Sequence, residues 1–188
     1  VQFVLLDTRY FRSSLKRAPK RKSGYGPYEP NNSKDADLLG IDQWEWLEQT
    51  LRVPAELRII ASSIQVLSSS HGWETWGNFP KDRTHLLNLL ERSNVATIVI
   101  SGDRHSAEIS QLDSINNFPL LDVTSSAMNQ RQRPNSEKNI HRIGEKYFNE
   151  NFGLIKINWT GKKPSVEISI RDLKGRSQIQ HKLNYNLY

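Results

Sequence analysis

Apolar positions along the chain gather into three strand-like runs separated by two stretches of helical period. The runs cover residues 1–7 (VQFVLLD), 57–63 (LRIIASS) and 95–101 (VATIVIS), each rich in aliphatic or β-branched side chains. Between the first two, a helix opens over residues 39–47 with Asp42 as its N-cap. Trp44, Leu47 and Leu51 fall on one face at i, i+3 and i+7, and Pro54 closes it. Between the second and third, Pro80 stands at position N1 of a helix over residues 81–92 that carries Leu86, Leu87, Leu89 and Leu90. The order strand, helix, strand, helix, strand predicts a βαβαβ unit on a parallel sheet.

After Ser101 the pattern changes. Short strands are expected at 107–112, 119–125, 152–160, 164–171 and 177–183, with turns at 160–164 and 174–175. Ile168 and Ile170 alternate with Ser169 and Arg171, the mark of a half-exposed antiparallel sheet. Residues 128–147 are polar and without period, and residues 10–38 form a long segment broken by Pro19, Pro27, Pro30, Gly24 and Gly26. The fold class is α/β leading into antiparallel strands (α+β), in one domain over residues 1–188.

Composition narrows this picture without changing it. Five Trp, six Phe and six Tyr in 188 residues belong to a globular chain. No apolar run approaches the roughly 18 residues of a membrane span. The absence of Cys excludes disulfides and thiolate metal sites. The formal charge is +6, but Arg12, Lys16, Arg17, Lys20, Arg21 and Lys22 account for all of it. The basicity is therefore one loop over 12–22: a solvated loop, a guide for an anionic substrate, or a polyanion or nucleic-acid binding module. Nucleic acid is the weaker expectation, since neither a wider basic face nor an interleaved aromatic platform accompanies the loop. The chain opens at Val1 inside a strand-like run, so a preceding segment is expected.

Candidate chemistry sits where strands end. The run 95–101 stops at Gly102, and Asp103-Arg104-His105 follow. Open α/β sheets place ligands outside the carboxyl ends of their strands. Asp103 and His105 are metal-ligand types, Arg104 suits a phosphate, and Gly102 would permit close backbone approach. Ordinary capping hydrogen bonds are the alternative reading. Asp7-Thr8-Arg9 follow the first run, and the loop 71–80 (HGWETWGNFP) brings His71 and Glu74 between Trp73 and Trp76. His85 reads as structural or exposed, His141 as solvated and His181 as a surface residue.

The blocks LLDTRYFRS (5–13), GPYEPN (26–31), LLGIDQWEWLEQTL (38–51), ASSIQV (61–66), HGWETWGNFP (71–80), SGDRHSAEI (101–109) and LLDVTSSAMNQ (120–130) resemble, in order, those of PhoD-like alkaline phosphatases within the calcineurin-like metallophosphoesterases. The resemblance implies a four-layer αββα sandwich and hydrolysis of phosphate monoesters or diesters. A metal-activated water would attack, and the complete protein would bind two or more ions (Fe, Ca, Mn or Zn) about 3.5–4 Å apart. It makes His105 a metal ligand, gives Asp103 the place of the family's first His, as a ligand or as a group that supports one, and puts Arg104 at the motif's variable position, as a catalytic candidate. Arg9 would pair with phosphate or lock Asp7, Glu74 and Trp76 would line the substrate mouth, and His71 would be either a general acid or a packing residue. An early Asp, a Gly-Asp-x-x-Tyr block and a Trp-Asp-Asp-His block are absent. The expectation is the C-terminal part of a catalytic domain, incomplete or inactive without its N-terminal half. Its expected location is secreted, periplasmic or cell-envelope.

Overall fold

The computed structural model describes residues 1–113, 117–159 and 164–184. β1 (Gln2–Leu5), β2 (Arg58–Ala61) and β3 (Thr97–Ser101) are the three expected strands, joined by α1 (Ile41–Leu51) and α2 (Pro80–Ser93). They pair in parallel in chain order, Phe3 opposite Ile59 and Ile59 opposite Ile98. β4 (Ala107–Leu112), β5 (Leu120–Ser125) and β6 (Arg142–Tyr147) complete a six-stranded sheet in the order β1-β2-β3-β5-β4-β6. β7 (Phe152–Asn158), β8 (Ser165–Arg171) and β9 (Ser177–Asn184) form a separate antiparallel sheet. The turn expected at 160–164 lies, but for Pro164, outside the described residues. No helix among them is long and apolar enough to cross a membrane.

The alternation of side chains along β1, β3 and β5 assigns the two faces of the large sheet. Val4, Ile60, Val99 and Leu120 lie under α1 and α2, where they meet Leu47, Leu51, Leu86, Leu90, Trp76 and Phe79. Ile98, Ile109, Leu121 and Val123 face the other way, onto Val166, Ile168 and Ile170 of β8 and Leu183 of β9. Helices, large sheet and small sheet are thus three of the four layers of the expected sandwich.

Three local expectations need correction. α1 is capped by Gly40, not Asp42, because Asp37 Oδ1 already accepts the Leu39 and Gly40 amides at 3.0 and 2.9 Å. Asp42 falls in the first turn, where its charge suits the helix dipole. β5 is not confined to an antiparallel half: it inserts between β3 and β4, parallel to the first and antiparallel to the second. The polar stretch before residue 148 ends in a strand, β6. Its sequence RIGEKY shows no alternation, and Gly144 adopts φ 65°. β6 forms because Ile143 and Tyr147 pack on the second core cluster while Arg142 reaches Glu108 at the sheet edge.

The long segment 10–38 has no helix or strand, yet it is tied down. Gly26 and Tyr28 donate their amides to the carbonyls of His71 and Gly72 at 2.9 and 2.8 Å. A Cβ on Gly26 would stand 2.1 Å from the Gly72 oxygen, so only glycine allows this approach.

Candidate functional site

The parallel strands deliver their carboxyl ends to one edge of the molecule: Asp7 after β1, Ser62 and Ser63 after β2, and residues 102–105 after β3. A hydroxyl pair, Thr8 Oγ1 and Ser63 Oγ at 2.6 Å, stitches the first two ends together. Beside them opens a cleft of about 470 Å³ lined by Leu5, Ser63, Gly102, Val123, Ser125 and Ile155 among others.

The turn after β3 holds two of the three left-handed non-glycine residues found among the described residues. Asp103 and His105 both adopt left-handed conformations, at φ 64° and 51°. Each costs about 1 kcal/mol or more for a non-glycine residue and persists only where its surroundings impose it. Asp103 and His105 are exposed while Arg104 between them is buried, only 4 % of its side chain reaching solvent. Gly102 is not the crowded position expected: a Cβ there would meet Ser63 O at 3.6 Å, ordinary van der Waals contact. The conformational demand falls instead on its two polar successors.

Arg104 points inward. Its Nη2 lies 2.6 Å from Glu137 Oε2, and Lys146 Nζ lies 3.4 Å from the other oxygen. This places Arg104 away from any solvent-side phosphate. Around it extends a buried polar network on β3, β4 and β5. Ser101 Oγ donates to Asp122 Oδ1 at 2.7 Å, and Asp122 Oδ2 accepts the Val66 and Leu67 amides at 2.7 and 2.9 Å. Gln65 Nε2 reaches Glu108 and Thr124 at 2.7 and 2.8 Å. Burial works to raise Glu108, but Arg142 and Lys146 hold its carboxyl below the ordinary range; burial also pushes the Lys146 ammonium down. Glu108, Asp122, Glu137 and Lys146 went unread in the sequence. Glu137 had one available signal, as the sole carboxylate between Asp122 and Glu145 in a stretch rich in Arg and Asn.

His71 is also buried. Its Nδ1 accepts the Trp73 amide at 3.0 Å, and burial, with Arg104 and Lys146 nearby, lowers its pKa from the ordinary 6.5 to about 2. A neutral ring sealed from solvent stands in the packing role, not poised to protonate a leaving group. The unfolded chain therefore takes up this proton first, and stability falls as pH drops below about 6.5. Between pH 8 and pH 5 the loss from this one group is about 2 kcal/mol. Urea titrations at the two pH values check this; His71→Asn should flatten that part of the acid limb.

Arg9 and Glu74 are brought together as an ion pair, with Arg12 Nη2 3.6 Å from the same Glu74 oxygen. Asp7 is not Arg9's partner. Its Oδ1 accepts the Tyr10 and Arg9 amides at 2.9 and 2.8 Å, which keep its carboxyl below the usual range. Trp76 does not line a mouth: it is fully buried, its Nε1 donating to Ser62 Oγ at 3.0 Å. His141 and His181 are half-buried, contrary to the solvated positions expected, and burial lowers both. In the basic loop Lys16 pairs with Glu29, while Arg17 and Arg21 stack over Tyr28 and Trp73.

Asp103 and His105 are chemically suited to a divalent or trivalent cation, one hard oxygen donor and one imidazole. Their number is not sufficient: no three His, Asp or Glu side chains among the described residues gather as an ion's shell. By themselves they offer two donors of the several that such an ion takes.

The family model described as PhoD-like phosphatase matches residues 1–170. The chain belongs to the PhoD-like phosphatase family. Among solved structures, PhoD superposes with a TM-score of 0.60 at 17 % identity, over 97 % of this chain and 41 % of that one. GAP50, the anchor in the inner membrane complex of Plasmodium, gives a TM-score of 0.56 at 20 % identity, over 76 % and 42 %. The purple acid phosphatase PPD1 from yellow lupin seeds gives 0.52 at 13 % identity, over 78 % and 29 %. These likenesses establish the metallophosphoesterase-type fold of this PhoD-like chain, which spans about two fifths of the PhoD chain. A search of the curated proteins returned no match.

Proposed function

We propose that this chain is the C-terminal part of a metal-dependent phosphoesterase that hydrolyses phosphate monoesters or diesters outside the cytoplasm. The observation that carries the reading is the exposed, left-handed pair Asp103 and His105 at the carboxyl end of β3, within the family's motif. These two residues would hold part of a metal centre. Bound cations would supply charge neutralisation for the phosphoryl oxygens and a water of lowered pKa. Arg9, half exposed, has donors left over from its pair with Glu74 and would clamp a phosphate oxygen, while Glu74 holds the guanidinium in place.

The remaining ligands would come from the rest of the catalytic domain, and the molecule has a place for it. β1 lies at the open edge of the large sheet, and Phe3 and Leu5 stand 72 % and 77 % exposed on the same face as Ile98, at the edge that the small sheet leaves uncovered. An open strand edge beside an uncovered apolar face is the surface on which a further strand and its layer would close.

The test joins residues 1–188 to the upstream segment of the coding sequence. Hydrolysis of p-nitrophenyl phosphate and bis-p-nitrophenyl phosphate is then measured with Fe, Ca, Mn and Zn. The joined protein should be active and the chain alone inactive. Asp103→Ala and His105→Ala should each lower kcat/KM by more than the roughly 10–100-fold that an outer partner of a metal ligand is worth. Full activity in both variants overturns the reading.

A further inference from the structure

We infer that Glu137 is a positioning residue: through Arg104 it holds Asp103 and His105 turned outward as donors. The inference rests on the reading of those two residues as a donor pair.

Three consecutive side chains after Gly102 alternate out, in, out, and the two that face solvent have left-handed backbones. Asp and His enter the left-handed region more readily than most residues, but two of them flanking one buried side chain still call on tertiary contacts to fix which side chain is inside. The backbone supplies several. Ser126 Oγ accepts the Arg104 amide at 3.0 Å, Ser106 Oγ donates to the Arg104 carbonyl at 3.1 Å, and the Gln132 amide donates to the His105 carbonyl at 2.6 Å. None of these chooses which side chain is inside. That choice falls to the Arg104 guanidinium.

Glu137 comes from a segment 33 residues further on, and its carboxylate is as buried as the guanidinium it meets at 2.6 Å. An isolated buried guanidinium is strongly disfavoured, whereas one with a hydrogen-bonded carboxylate is held firmly. Lys146 Nζ sits against Glu137's second oxygen, and Glu108 with Arg142 lies beyond it, so Glu137 is itself fixed. With the charge of Glu137 removed, Arg104 gains by turning to water. The turn must then reverse, and the backbone that directs Asp103 and His105 outward relaxes with it. The variable position of the motif is thus the internal anchor of its two outward neighbours.

The experiment uses the 188-residue chain, Mn²⁺ alone as the probe, and NMR at residues 103–105. In the unsubstituted chain Mn²⁺ should broaden Asp103 and His105 selectively, and their three-bond couplings and 13Cα shifts should report left-handed backbone. Glu137→Gln should raise the Mn²⁺ concentration for half-broadening by about 10–100-fold and move those couplings and shifts, leaving β1, β2 and β3 in place. Glu137→Asp should recover most of both. Gln65→Met perturbs the same buried network through Glu108 and Thr124, touches neither Arg104 nor Glu137, and should leave both readouts unchanged.

Equal effects of Glu137→Gln and Gln65→Met would reduce the cluster to a stabilising one and overturn the inference. Should Glu137→Gln fail to fold, Arg104→Ala removes the anchoring guanidinium and leaves Glu137 its pair with Lys146. Left-handed couplings retained in it overturn the inference, and their loss supports it. Absence of Mn²⁺ broadening in the unsubstituted chain counts against the donor reading. The couplings in Glu137→Gln still decide the positioning role.

Discussion

Replacing Asp122 by alanine is expected to lower the free energy of unfolding by about 4 kcal/mol. Its carboxylate accepts the Val66 and Leu67 amides and the Ser101 hydroxyl, all inside the protein. Each stranded buried donor costs about 1–3 kcal/mol. Two influences moderate the sum: burial already pushes the Asp122 carboxyl up, and Glu108 repels its charge. Asp122→Asn can keep its oxygen on the Val66 and Leu67 amides and turn its NH₂ to the Ser101 hydroxyl, which can accept, so well under half the loss should remain. Urea unfolding measures both, as a shift of midpoint at unchanged slope. A loss under about 1 kcal/mol in the alanine variant would mean that residues 64–67 are held to the sheet by packing alone. The effect concerns function as well as stability, because Ser101, which shares that carboxylate, immediately precedes Gly102.

Trp76→Ala should be of similar size, about 3–5 kcal/mol, the usual loss on truncating a buried aromatic residue to alanine. Trp76 packs edge-on to Trp44 with centroids 6.1 Å apart, and α1, α2 and the loop 64–67 converge on its ring. Trp76→Phe separates the two contributions. It keeps much of the volume and forfeits the bond to Ser62 Oγ, so it should cost about 1 kcal/mol for that lost bond plus a smaller cavity. Denaturant midpoints decide this, and Trp fluorescence gives an independent trace, since removal of the most buried indole should shift the folded emission to the red. A near-neutral Trp76→Ala would contradict the burial of the ring.

Both residues show where reading the chain succeeded and where it stopped. The βαβαβ order was legible because buried parallel strands and amphipathic helices each impose a hydrophobic period, and VATIVIS and PKDRTHLLNLL carry those periods openly. Trp76 was visible as an aromatic in a loop, but nothing local says whether such a ring turns to the core or to the site. β6 was not visible at all. RIGEKY has no alternation of its own, and its pairing rests on contacts with Glu108 and the second core cluster that form only when β4 is in place. β5 was expected as a strand, but its place between β3 and β4 was not, because a strand's own residues do not record which two neighbours it will lie between.

The candidate site divides in the same way. Sequence alone placed Asp103 and His105 at the end of a buried strand, since side-chain chemistry and strand termination are both local properties. That much needed no coordinates. The outward turn of those two residues, the inward turn of Arg104 and its capture by Glu137 depend on groups 33 residues apart. The withdrawal of His71 into a neutral, buried position depends likewise on burial and on Arg104 and Lys146 arriving from other parts of the chain. Periodicity and residue type are written along the chain, whereas desolvation and charge pairing exist only between segments brought together. The βαβαβ strands and the polar residues of the Gly-Asp-x-His turn were therefore legible in the sequence alone, and which of its side chains meets solvent was decided by the tertiary structure.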